Sequence, residues 1–583
     1  MSNLFDQVPL MFQAQIGGRA QLQRIDPDKQ ERQEKQDSEI WVDQWIDRAY
    51  DKIPEFGADV RSRIYEFSWR FVTNSGQDPT IIRPAMGAFG LPFYPGSSMK
   101  GVFLRACKKL HPNKIELYCG NADRPGILRF HGGYPTNDWK NQLLDITHPQ
   151  QGWQVKEHDT SDKPPGESGF ALISLYQPIF QFGISSNDLD RTDWDEVWEI
   201  WEKALVSGLG CRTSSGYGAV SRRIDENGNP HPMTISGEIL FRGKLKGEGQ
   251  ASKLLDLDRT PEFRPNIFRA AIRGHALRIF GGITNEIAAD KIVNDLFGST
   301  DGKGNVGKLA MNFQRSFLKP GKFGYHQQPT YDVKGELIWI LISDLSPEQK
   351  KILENLIHAL SRFAMLFGGF GNSWRRVDHR KFFYDNPEYD KLIGCHWEWT
   401  GLRHLERDTN FSNIRYVKKF IGQVQKLARD WQDAVTEELE LQATPQDFAN
   451  WREAWYPNKV QIWGRIADGA EDSEAINWFH GAYQKASREF REPSKTIKQT
   501  TITGFVGKNK VTKVGRLWHR MYPLVQRIKD SKTGKDTFEK NDRYLELLTI
   551  FPDRSPESQT FIEFLQYNSR DESLFQNLWS IDE

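Results

Sequence analysis

Hydrophobic positions recur along this chain in two periods, and the switches between them outline its elements. Residues 63–72, RIYEFSWRFV, alternate as a half-buried strand does, with successive side chains on opposite faces. After the turn PGSS, the residues Met99, Val102, Phe103, Ala106 and Leu110 fall within one narrow stripe at 100° per residue, which predicts an amphipathic helix. An apolar strand, FALISLYQPIFQFGI, and a second amphipathic helix, DWDEVWEIWEKALVSGL, come next. The unit closes on the glycine loop GLGCRTSSGYGAVSRR, residues 208–223.

After the turn ENGNPHP the order of parts repeats, although the letters do not. A strand, TISGEILFRGKLKG, leads through the loop EGQASKLLDLDRTPEFRP to the helix NIFRAAIRGHALRIF. Its stripe is Ile267, Phe268, Ala271, Ile272 and Ile279. The strand GELIWILISDL, the helix SPEQKKILENLIHALSRFAML and a second glycine loop, FGGFGNSWRRVDHRK, complete the series. Residues 405–505 read as helical and rich in Trp, after which TTITGFVGKNKVTKVGRLWHRMYPLVQRI reads as strands again. No short period recurs, which excludes a solenoid. At 583 residues the chain is too long for one core, and about 150 residues per domain predicts three or four structural units. The expected division is a polar arm and helix at 1–60, a first module at 61–228 and a second at 229–404. A helical insertion at 405–505 and the second module's final strands and tail at 506–583 complete it. The fold class is α+β.

Charge and cysteine usage narrow the function classes. Lys plus Arg, 78, nearly balances Asp plus Glu, 77, so the net charge of +1 does not by itself announce a polyanion binder. The basic residues are nevertheless clustered, and a local strip is all that a phosphate chain needs. The 4 cysteines form no CxxC pair and the 13 histidines no HExxH, so no metal site is expected and a reducing cytoplasm is. No apolar run is long enough to span a membrane, and the start of the chain lacks the pattern of a signal peptide.

The clusters lie on the two helices and in the two loops. Opposite the first stripe stand Lys100, Arg105, Lys108 and Lys109, behind a turn whose Gly96, Ser97 and Ser98 open the helix; Ser97 or Ser98 is expected to cap it, and the positive end of the helix dipole would meet an anion. On the second helix Arg269 and Arg273 are one turn apart, with Arg264 and Arg278 flanking them. Either helix alone reads equally well as an ordinary surface helix; two of the same pattern point to a shared ligand. In the first glycine loop Gly208 and Gly210 let backbone approach a ligand, and Arg212, Thr213, Ser214, Ser215 and Tyr217 offer donors. In the second, Ser373, Arg375 and Arg376 do the same, with Trp374 placed to stack on a base. Neither loop has the strand–GxGxxG–helix context of a dinucleotide site or the GK[ST] ending of a P-loop.

These stretches resemble the RAMP superfamily, the RNA-binding subunits of type III CRISPR effector complexes. GAFGLPFYPGSSMKG, LLDITHPQQGW and KALVSGLGCRTSSGYG are similar, in that order, to the Cmr-type subunit near the 3′ end of the guide RNA. The second half is more divergent: FRPNIFRAAIRGHALR stands where a GSS-type turn and basic helix belong, and GGFGNSWRRVDH and VGRLWHRMYP fit more loosely. The resemblance implies a ferredoxin-like, RRM-like core in each of two modules, with loop and basic helix gripping guide-RNA backbone without a cofactor. It also implies target RNA and other type III effector subunits as partners, with Arg516 and His519 of GRLWHR as further RNA contacts.

Some subunits of the superfamily cut target RNA with an acidic residue between the first strand and the basic helix. Here those loops hold Asp78 in the first module and Asp256 and Asp258 in the second. A carboxylate there could hold a divalent metal ion or help activate the 2′-hydroxyl. It could equally be solvated, or pair with Arg259 or Arg264. The Cmr-type subunit that the first half resembles is not the cutting one, so binding is expected, with a metal-dependent endoribonuclease using Asp258 or Asp256 as the alternative. A non-CRISPR RNA-binding assembly protein is the third possibility. His275, near the apolar stripe, is expected in the core.

Overall fold

The computed structural model describes residues 34–73, 77–78, 81–82, 84–147, 154–156, 170–233, 237–253, 261–299, 307–323, 327–371, 395–442, 447–483, 495–498, 500–506, 512–513, 515–531, 533–553, 555–569 and 574–580. It is a mixed α/β structure whose main sheets are antiparallel.

The first unit begins with α1 (Asp37–Arg48), which buries Trp41 and Trp45 and sets the Trp45 ring 4.8 Å from Trp139. The alternating segment becomes β1 (Arg61–Phe67). Then come α2 (Gly96–Leu110), β2 (Leu128–Pro135), β3 (Ile179–Ser186), α3 (Trp194–Leu205) and β4 (Val220–Ile224). The sheet runs β2-β3-β1-β4, antiparallel throughout, with a short edge strand, Pro230–Pro232, beside β4. Asp193 starts α3 by accepting hydrogen bonds from the N–H groups of Asp195 and Glu196. The stripes of both helices pack on the sheet: Met99, Phe103, Val197 and Trp201 share a core with Tyr65 and Phe182. A second, small sheet of short strands is inserted, built from Gln77–Asp78, Ile81–Ile82, Leu144–Thr147 and Phe170–Ile173.

The second unit comprises β5 (Glu238–Gln250), α4 (Asn266–Gly281), α5 (Glu286–Phe297), β6 (Leu309–Phe323), β7 (Gln328–Leu341), α6 (Pro347–Phe367) and β8 (Cys395–Trp399). Its sheet runs β6-β7-β5-β8, the order of the first sheet. A capping box between Ser346 and Gln349, with proline in the first turn, fixes the start of α6. Beyond it α7 (Tyr416–Val435) buries Val417, Phe420, Val424 and Trp431 in the same core as α4 and α6.

The strands after residue 506 do not complete the second sheet, which is already closed by β8. The long ones build a separate sheet around β9 (Gln461–Ala467), which lies inside the segment read as helical. After β9 come α8 (Glu474–His480), β10 (Leu517–Lys529), β11 (Asp536–Ile550), α9 (Pro556–Asn568) and β12 (Gln576–Trp579). Their sheet runs β10-β11-β9-β12, the same order for a third time. The helical character of the block holds for α7. It fails for QIWGRIA, a strand of 7 residues whose Ile and Trp are too few to separate a period of two from one of 3.6.

Candidate nucleic-acid interface

In α2 the stripe buries Met99, Phe103, Ala106 and Cys107, while Ser97, Lys100, Arg105 and Lys108 are exposed. Lys109 differs, reaching across to the second unit at Asp344 Oδ1, 3.1 Å. Neither Ser97 nor Ser98 caps the helix. The capping position is Pro95, whose side chain makes no capping bond, and both serines lie within the first turn. The cause is packing: a Cβ on Gly96 would stand 2.1 Å from the Phe130 carbonyl oxygen, so the helix start is pressed against β2 and only glycine fits.

The first glycine loop lies next to this helix. Gly210 has φ +78°, and a Cβ there would come within 2.0 Å of the Val72 carbonyl oxygen. Arg212 itself sits at φ 59° and opens the turn Thr213–Ser215; Arg212, Thr213, Ser214 and Ser215 are half-buried. Loop and helix meet at Tyr94. Burial pushes its phenol up to about 12, against the opposing effects of the Arg105 charge and a hydrogen bond from the Gly210 backbone.

Four residues expected to touch RNA are in fact buried. Tyr217 is 1% exposed and donates to Asp145 Oδ2 at 2.5 Å. Arg264, 6% exposed, pairs with the other oxygen of Asp145 and donates to the Ile146 carbonyl at 2.6 Å. Burial would raise the Asp145 carboxyl, but Arg264 and Arg70 outweigh it and hold it below the ordinary carboxylate range. Arg70 also grips Glu262 at 2.7 Å, and the Trp69 indole donates to the same carboxylate. A buried charged network thus joins the first unit (Trp69, Arg70, Asp145, Tyr217) to the second (Glu262, Arg264). Arg278 donates to Glu453 at 2.8 Å and lies 4.8 Å from the centre of the Trp518 ring. His519 pairs with Glu546 at 2.8 Å inside the third sheet. The physical reason is common to all four: each buried polar side chain has a carboxylate as its partner, and a burial of that kind is stable only when paired.

Arg516 is half-buried and paired with Asp553 at 3.3 Å. Arg269 and Arg273 are half-buried and turn toward α5, Arg269 donating to the Phe297 carbonyl and Arg273 to Asn294 Oδ1 at 2.9 Å. His275 is fully buried, as expected, with its ring 5.2 Å from Phe363 and 5.7 Å from Trp518. Asp256, Asp258, Ser373, Trp374, Arg375 and Arg376 lie outside the described residues. Among the described residues no group of His, Cys, Asp and Glu could hold a metal ion, and no helix is long and apolar enough to cross a membrane. The acids that decide these roles, Asp145, Glu262, Glu453 and Glu546, carry no signal in the sequence, because each has a partner far away along the chain.

Residues 81–221 match the family model of the RAMP superfamily, so the first unit carries a RAMP segment, and that segment spans both α2 and the first glycine loop. No curated protein matches the chain. Solved structures are similar as well, among them the following two. One, a chain of the type III-B Cmr-beta complex bound to cognate target RNA, is 20% identical over 30% of this chain, with a TM-score of 0.22. The match spans 61% of that chain's length. The other, Cmr6 from Pyrococcus furiosus, is 17% identical over 28% of this chain and 96% of its own, with a TM-score of 0.19. Neither score reaches the level at which two chains share an overall fold.

Proposed function

We propose that this chain is a guide-RNA-binding subunit of a type III CRISPR ribonucleoprotein, holding the guide near its 3′ end and supporting recognition of target RNA. The observation that carries this reading is the coincidence of the RAMP segment with an exposed basic helix face, Lys100, Arg105 and Lys108, that adjoins a glycine loop carrying Arg212 and three hydroxyl groups. Phosphate contacts of this kind are blind to sequence, as a subunit serving many guides requires, and need no cofactor. The order second-third-first-fourth in each sheet, with a helix after the first and third strands, supports a ferredoxin-like core in all three units. The chain would then offer one guide three successive modules, in the cytoplasm and alongside other effector subunits.

The test is to recover the tagged chain from its native cells and sequence the RNA that accompanies it. Repeat–spacer guides together with other effector subunits are the expected result. Absence of guide RNA, in a lysate shown to contain the effector complex, overturns the proposal.

A further inference from the structure

The first glycine loop does not only adjoin α2; it also seats on the second unit. A Cβ on Gly216 would stand 3.0 Å from the Met311 methyl group on β6. The turn after Arg212 also lies against α4, the helix of Arg269 and Arg273. The turn after Arg212 and the two α4 arginines therefore share one seam, where the charges of Arg212 and Arg273 both act on Arg269. Their hydrogen bonds leave positive charge unanswered. Arg269 gives one nitrogen to the Phe297 carbonyl, while its Nε is buried and donates to nothing. Arg273 donates to the neutral Asn294 side chain. Among the described residues no carboxylate forms an ion pair with any of the three. Asp290, whose charge reaches Arg273, is itself taken by Lys156 at 2.5 Å. Burial, with the charges of Arg273 and Arg212 added, pushes the Arg269 guanidinium down to about 9.

By contrast Arg70, Arg264, Arg278 and Arg465 are buried with a carboxylate in contact, while Arg520, also buried, donates to the Met365 and Trp397 carbonyls. Like charges gathered in a partly dry place without a counter-charge disfavour the folded state unless an anion joins them. Guanidinium groups present flat, forked donors suited to the oxygens of a phosphoryl group.

We propose that Arg212, Arg269 and Arg273 form a binding site for a single phosphoryl oxyanion at the seam of the first and second units. An anion held there bonds to both units at once, so its binding ties them together. The site itself does not depend on the RNA reading above; only the assignment of its occupant as an RNA phosphodiester rests on it.

The full chain is tested by thermal unfolding in inorganic phosphate against chloride at equal ionic strength, and by binding of single-stranded RNA. Phosphate is expected to raise the unfolding midpoint of the wild type, and Arg269→Gln or Arg273→Gln to remove that rise. Because those variants touch α4 and could disturb folding, Arg212→Gln in the loop is the second variant. It is expected to hold or raise the midpoint in chloride, because one of three like charges is gone, and to lose the phosphate response. If the occupant is an RNA phosphate, Arg212→Gln also weakens RNA binding about tenfold, the loss of one charge-assisted contact. A phosphate response without an effect on RNA identifies the free anion as the occupant and retains the site. A wild type that binds RNA but shows neither a phosphate response nor any RNA effect of Arg212→Gln overturns the site and leaves the proposed function standing. A wild type that binds no RNA overturns the proposed function, while the phosphate measurement still judges the site.

Discussion

α2 and α4 hold equivalent places: each is the first α-helix after the first strand of its sheet, with an apolar stripe on one side and basic residues on the other. On α2, Lys100, Arg105 and Lys108 stand in solvent. On α4, Arg278 is 2% exposed and Arg269 and Arg273 turn into protein. The next stretch of chain makes the difference. After α2 it forms only the short helix Ile115–Cys119 before β2, so the basic face stays open. After α4 it forms α5, whose Asn294 and Phe297 accept from the two arginines, and a later segment brings Glu453 to Arg278. A basic helix face is thus open to a chain of phosphates only where the fold leaves it uncovered. On α4 the covering elements take Arg278 as glue and leave Arg269 and Arg273 room for no more than the single anion proposed above.

The sharpest way to break this comparison is to remove one charge from each side. Arg264→Gln leaves Asp145 buried without its guanidinium, and should cost about 3–5 kcal/mol in urea unfolding. Lys100→Gln, on an exposed face, should stay within about 0.5 kcal/mol of wild type. Equal effects would show that the seam network does not hold the units together. Next in size is Gly210→Ala, which adds a Cβ against the Val72 carbonyl at a backbone angle that disfavours it. A loss of about 1–3 kcal/mol by the same assay is expected, and a silent substitution would mean that the loop has room to shift.

Burial also gives the second unit a pH dependence for which the open face of α2 offers no cause. His358 and His404 lie against Phe241, and burial, with nearby arginines, pushes each imidazole down to about 4. A base depressed in the folded state is neutral there while the unfolded chain takes up protons. The stability these two histidines contribute is therefore present above about pH 6.5 and lost as pH falls through about 4. His358→Gln should flatten the stability–pH curve in that window by up to about 1.4 kcal/mol per pH unit relative to wild type. A variant whose curve parallels the wild type contradicts the buried placement.

The parts legible in the sequence were those written locally. The first half of the strand read at 63–72, which ends at Phe67, the stripe of α2, the helix α6 and the glycine loop are all encoded within a few residues, and so is the core position of His275. What escaped was set by long-range pairing. The order of three sheets depends on which strands meet, and β9 was too short for its period to show. Whether Arg264, Arg278 or His519 faces water depends on Asp145, Glu453 and Glu546, acids 119, 175 and 27 residues away. Tyr217 was misjudged for the same reason: its loop looks like a donor array until Asp145 is folded beneath it.

The salt dependence of RNA binding tests the division between the two helices most directly. Single-stranded RNA is titrated onto the full chain over a range of salt, for wild type and for the triple variant Lys100→Gln, Arg105→Gln, Lys108→Gln. If these three cations hold phosphates, the slope of log K against log salt should become less steep by about 2, at the single-strand value of about 0.7 per contact, with unfolding unchanged. An unchanged slope in a properly folded triple variant would contradict α2 as the RNA-binding face.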